Sequence, residues 1–129
     1  MKYVLAFIPH DRLDALVDAL EDSHVHGLSI SEARGFGQEH DPGHPEHQHH
    51  PGVDLVRKLR VEIVCRDEEL PAVLDSLARL RQPGRFGAGK VFVLEVQDAM
   101  RLQTGERGEA ALGPPGCEPD RGGEPPEAA

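Results

Sequence analysis

The chain has 129 residues, enough for one domain of ordinary size and not for two. A formal net charge of −9 opposes nonspecific binding to nucleic acid or to anionic membranes. Hydrophobic residues make up 38%, with one Tyr and no Trp, which implies a modest core that oligomerisation would assist.

Met1 to Ile8 reads as a strand. Its clean apolar run, Tyr3 to Ile8, is too short for a signal-peptide core or a membrane span, so a cytoplasmic protein without direct membrane insertion is expected. Asp11 has the side chain and the position of a helix N-cap, and Leu13, Leu16, Val17 and Leu20 follow at i, i+3, i+4 and i+7 on one helical face. Gly27 closes that unit, and the stretch LSISEARGF is a second strand of weaker pattern. Residues 37–54 break every periodicity and are crowded with Gly, Pro, Asp and His, so they read as a long loop. In RKLRVEIVCR, Leu59, Val61, Ile63 and Cys65 alternate with Arg60, Glu62 and Arg66, the pattern of a half-buried third strand. Asp67 has the character of a cap for a second helix carrying Leu70, Val73, Leu74, Leu77 and Leu80. The fourth strand is Val91 to Val96. Cys65 in a strand and Cys117 in the tail make no disulfide framework.

The order strand-helix-strand, long loop, strand-helix-strand is that of the α+β, ferredoxin-like split βαβ fold, βαββαβ. Helices cover one face of such a sheet, and the other face needs its own cover, commonly a partner subunit. The domain is expected over residues 1–112, with its long loop at about 37–54. Nine of the seventeen residues from Gly113 to Ala129 are Gly or Pro, which reads as a disordered tail.

Between the second helix and the fourth strand lies GRFGAGK, Gly84 to Lys90. It approaches the phosphate-binding G-x-x-x-x-G-K-[ST] loop, but Val91 stands where the magnesium-binding hydroxyl belongs. VFVLEV then continues as a strand, so the helix N-terminus of that mechanism is missing as well. The local alternative is a tight turn at Gly87 and Gly89 with Lys90 as a solvated charge.

Taken together, GLSISEARGFG, VRKLRVEIV, GRFGAGKVFVLEV and MRLQTGERGEAAL resemble the PII signalling family over Met1 to Leu112, with residues 37–54 in the place of that family's T-loop. The resemblance implies a regulator and not an enzyme. It implies a homotrimer whose sheets line the centre, with adenine nucleotide (ADP, ATP or AMP) as effector in clefts between subunits. It further implies T-loops that dock onto a target protein, a membrane transporter by family analogy. Gly87, Gly89 and Lys90 match the loop that grips nucleotide phosphates, by the chemistry of an anion nest. Ser29 and Val64 match adenine-contacting positions, with Glu62 nearby. Gly35, Phe36 and Gly37 match the turn at the T-loop base, and Arg101 matches a phosphate-binding arginine from a neighbouring subunit.

The chain departs from the family's pattern at several of these positions. Gln38 stands where the family usually has Arg, Gln103 replaces a second arginine, and Ala88 replaces an acidic residue of the glycine loop. Two lost guanidiniums remove bidentate phosphate clamps, so ADP or AMP becomes competitive with ATP. Glu39 takes the place of a glutamine that helps hold 2-oxoglutarate through magnesium, and a carboxylate there repels a dicarboxylate. Pro51 occupies the place of the modifiable tyrosine. Sensing of 2-oxoglutarate and uridylylation are therefore not expected of this chain.

The loop carries another chemistry. His40, His44, His47, His49 and His50 lie beside Glu39, Asp41 and Glu46, a donor set suited to a divalent metal such as Zn, Ni, Cu or Co. A compositionally biased, solvated loop is the plain alternative. His10, His24 and His26 are isolated, and read as structural or surface groups. LGPPGC, Leu112 to Cys117, resembles the C-G-P-x-G-C ending of PII-like proteins that serve bicarbonate transport, with Leu112 in place of the first cysteine. Two other functions stay open at the level of sequence: a metal-buffering or metal-delivery protein, and a bicarbonate-responsive regulator.

Overall fold

In a computed structural model, residues 1–21, 23, 25, 27–35 and 55–113 are described. Strand β1 is Lys2–Pro9, helix α1 Leu13–Glu21, β2 Ser29–Gly35, β3 Val56–Cys65, helix α2 Leu70–Ala78 and β4 Lys90–Glu95. The strands form one antiparallel sheet in the order β2-β3-β1-β4, with both helices on one side. This is the α+β, ferredoxin-like split βαβ arrangement.

β1 lies in the middle, pairing Val4 with Ile63 of β3 and Val93 of β4. Facing residues in an antiparallel pair share a face, so the pairing sorts the whole sheet. Val4, Ala6, Ile8, Leu59, Val61, Ile63 and Cys65 point to the helices and are buried. Leu16, Ala19, Leu20, Val73 and Leu77 meet them from the helices, forming a single core. The alternation expected in β3 is what the structure shows. Tyr3, Leu5, Phe7, Val64, Phe92 and Leu94 lie on the opposite face, where no described helix covers them. That explains the unbroken apolar run of β1: each of its faces needs apolar cover.

The helix starts differ from expectation. Asp11 lies inside a 3-10 turn, His10–Arg12, that precedes α1, and its carboxylate accepts from Arg85. Asp67 also begins a 3-10 turn, and it pairs with the Met1 ammonium at 3.0 Å and with Lys2 at 3.5 Å. α2 starts without a side-chain cap, with Pro71 in its first turn. The buried stripe of α1 is Leu16, Ala19 and Leu20, while Leu13 and Val17 remain exposed.

Candidate functional site: the glycine loop and the open sheet face

The glycine loop joins α2 to β4, and its shape follows from three left-handed glycines. Gly84, Gly87 and Gly89 have φ of +82°, +70° and +110°, a region that costs glycine nothing. At Gly89 there is a second demand, because an added Cβ would lie 2.0 Å from the Phe7 carbonyl oxygen. The loop thus crosses tightly over the end of β1 and delivers Lys90 to the open face, opposite Phe7. Lys90 is exposed, and no described residue gives its ammonium a hydrogen bond or an ion pair. A cleft of about 480 Å³ opens between the loop and the end of α2, with Leu77, Leu80 and Pro83 on one wall and Ala88, Gly89 and Lys90 on the other.

Arg85 ties this loop down. Its Nη1 donates to Gln82 Oε1 at 3.0 Å, and its Nη2 donates to both carboxylate oxygens of Asp11 at 3.2 Å. Sequence reading missed this pair, because its members lie 74 positions apart and nothing local couples them.

The remaining site residues divide by position. Ser29 pairs with Glu62 across β2 and β3, Glu62 with Leu5, and Leu5 with Phe92, so one row of the open face runs across all four strands. Val64 is next along β3, on the same face. The Glu62 carboxylate accepts from the Tyr3 hydroxyl at 2.8 Å and faces Arg60 Nε at 3.0 Å. The hydrogen-bonding Tyr3 hydroxyl, foremost, and the Glu62 charge raise the Arg60 pKa. Ser29 on β2 and Lys90 on β4 are three strand spacings apart, about 14 Å. One subunit therefore brings Ser29, Glu62 and Val64 together, and separately Gly87, Ala88, Gly89 and Lys90, without merging the groups. Gly35 ends β2 at the same end of the sheet as Lys90. Phe36, Gly37, Gln38 and the histidines 40, 44, 47, 49 and 50 lie outside the described residues. Among the described residues, no group of His, Cys, Asp or Glu is placed to hold a metal.

After β4 the chain forms a compact C-terminal loop. Arg101 N donates to Glu106 O at 2.8 Å and Gly105 N to Arg101 O at 2.7 Å, leaving Gln103 exposed at the tip. Arg101 Nη2 donates to the Ala110 carbonyl at 3.2 Å and to that of Gly113, and its Nε faces Glu106 at 3.3 Å. All of these contacts lie within its own loop. Asp98 gathers the loop base, accepting from Ala99 N, Gly108 N and Arg107. The Arg107 hydrogen bond, foremost, holds the Asp98 carboxyl below the usual carboxylate range. Cys65 is a buried free thiol, pushed up in pKa by its burial, and so a poor nucleophile.

Comparison with known proteins identifies this architecture. The model of the family "Nitrogen regulatory protein P-II" matches residues 1–106. The chain belongs to the PII family. A nitrogen regulatory protein P-II from Rhizobium meliloti (strain 1021) is 37% identical over 114 residues, 87% of this chain and 100% of the relative. Another from Bradyrhizobium diazoefficiens is 36% identical with the same coverage, and nitrogen regulatory protein GlnK from Escherichia coli (strain K12) is 33% identical. PII-family proteins are homotrimeric regulators of target proteins, not enzymes, and they generally bind adenine nucleotides. No helix among the described residues is long and apolar enough to cross a membrane.

Proposed function

We propose that this chain is a cytoplasmic PII regulator in which adenine nucleotide, bound between the subunits of a homotrimer, controls whether the T-loop docks on a target protein, a membrane transporter by family analogy. The observation that carries this reading is the glycine loop, which three left-handed glycines shape past the Phe7 carbonyl so that the ammonium of Lys90, without a described partner, stands on the open face. The separation of Ser29, Glu62 and Val64 from Lys90 within one subunit agrees with a cleft built from two. Nucleotide in the cleft and target on the T-loop are then linked equilibria, each biasing the other. Isothermal calorimetry tests the site: ADP should bind the wild type, and Lys90→Ala should weaken ADP and ATP alike, each by about tenfold or more, the loss of one charge-assisted contact. Unchanged affinity in Lys90→Ala would remove the lysine from the site.

A second reading adds a divalent metal as co-effector, and it rests on the run of five histidines from His40 to His50. Imidazoles bind metal only when neutral, so binding should fade as pH falls through about 6.5. Replacing His47, His49 and His50 together with Ala should abolish zinc binding in equilibrium dialysis and leave ADP affinity nearly unchanged. Zinc binding equal to that of the wild type would dismiss this reading.

A further inference from the structure

We propose that Asp11 and Arg85 form a clamp that holds the glycine loop in its phosphate-accepting shape, which makes both of them positioning residues of the nucleotide site. This inference rests on the nucleotide reading above. A segment with left-handed glycines at 84, 87 and 89 has many alternative backbone states, and it keeps one only if it is tied. Gly89 is fixed by its approach to Phe7, but that tie lies at the far end of the loop. Arg85 supplies the other tie. Its backbone N–H closes the turn onto Gln82 O at 3.0 Å, its Nη1 reaches Gln82 Oε1, and its Nη2 reaches Asp11 on the connection between β1 and α1.

Asp11 is the more telling member. It has the residue type and position of a helix cap, yet it lies inside the 3-10 turn His10–Arg12 and its carboxylate turns to the glycine loop. The Arg85 and Asp11 side chains are 36% and 55% exposed, and exposed ion pairs contribute little to global stability. The effect of this pair is therefore local to the loop. The two cations of the segment take different roles: Arg85 is committed to a carboxylate of its own chain, whereas Lys90 has no described partner and faces the ligand.

The test uses the full chain as wild type, Asp11→Asn, Arg85→Ala, the double variant, and the charge reversal Asp11→Arg with Arg85→Asp. Each single variant should lose about five- to tenfold in ADP affinity, and the double variant no more than either single one, as expected for two residues acting as one unit. The charge reversal should recover most of that loss, and Tm should stay within about 2 °C throughout, as for a surface pair. Amide hydrogen exchange at Gly84 to Gly89 in nucleotide-free protein should accelerate about tenfold in Asp11→Asn, reporting the freed loop. Unchanged exchange or unchanged affinity in Asp11→Asn overturns the clamp. So does tighter ADP binding in that variant, because a released Arg85 would then be a direct phosphate ligand. Absence of ADP binding by the wild type would overturn the nucleotide reading instead, and the exchange measurement would still decide whether the clamp exists.

Discussion

A methyl group on residue 89 would meet the Phe7 carbonyl oxygen at 2.0 Å, on a backbone already at φ +110°. Gly89→Ala therefore combines left-handed strain with a backbone clash, and the expected cost is about 2–4 kcal/mol. For a domain of this size a fall in Tm on the order of 10 °C should follow in a thermal melt. A change within about 2 °C would mean that the loop yields at little cost. The same scale governs nucleotide choice. On the proposed nucleotide reading, Gln38 and Gln103 stand where the family resemblance places its usual arginines, so the extra phosphate of ATP would meet fewer charge-assisted partners, each worth about 1–3 kcal/mol. ADP should bind at least as tightly as ATP without magnesium, and calorimetry favouring ATP a hundredfold would contradict this.

Among the elements, β3 is the one whose sequence and structure agree most closely, since alternation alone sorts the buried Leu59, Val61, Ile63 and Cys65 from Arg60 and Glu62. The helix starts agree least. Asp11 and Asp67 were sound caps by local rules, but each found a stronger cationic partner brought in by the fold: Arg85 for one, the Met1 ammonium and Lys2 for the other. Local propensity is blind to such partners because they arrive from distant sequence. The C-terminal loop is likewise an assembly around one carboxylate. Arg107 depresses the Asp98 pKa in the folded state, so the folded protein binds fewer protons there than the unfolded chain. The stabilisation is present above the unfolded value of about 3.9 and is lost as pH falls through the lower folded pKa. Asp98→Asn should accordingly lower Tm at pH 7, and the gap to the wild type should narrow on acidification below about pH 4. A gap that stays constant from pH 7 to pH 3 would assign the effect to the amide's geometry and not to charge.

At the scale of the molecule, one sheet face is covered by two helices and the other by no described helix. Phe92 and Leu94 are 47% and 50% exposed, and with Tyr3, Leu5, Phe7 and Val64 they form an apolar patch too continuous for a lone subunit. Burying this face in a homotrimer would supply core that a 129-residue chain lacks. Analytical ultracentrifugation should give about three subunits per particle, and Phe92→Asp should shift the population to monomer by placing a charge in that interface. A stable wild-type monomer at micromolar concentration would overturn the assembly.

The sequence by itself determined the element order, the alternation of β3, the apolar run of β1 and the glycine loop entering a strand, because periodicity and backbone freedom are local properties. Four separated motifs at family spacing carried the family as well, and the matching of residues 1–106 bears that out. Only the tertiary structure decided what the charged side chains do. It turned Asp11 from a cap into an anchor for Arg85, folded Arg101 onto the carbonyls of its own loop, and left Lys90 without a described partner. It also set Ser29, Glu62 and Val64 apart from the glycine loop within one subunit, which no spacing along the chain conveys. The physical reason is reach: a charge takes whichever opposite partner the packed core brings within a few ångströms, and that core is assembled from residues far apart in the chain.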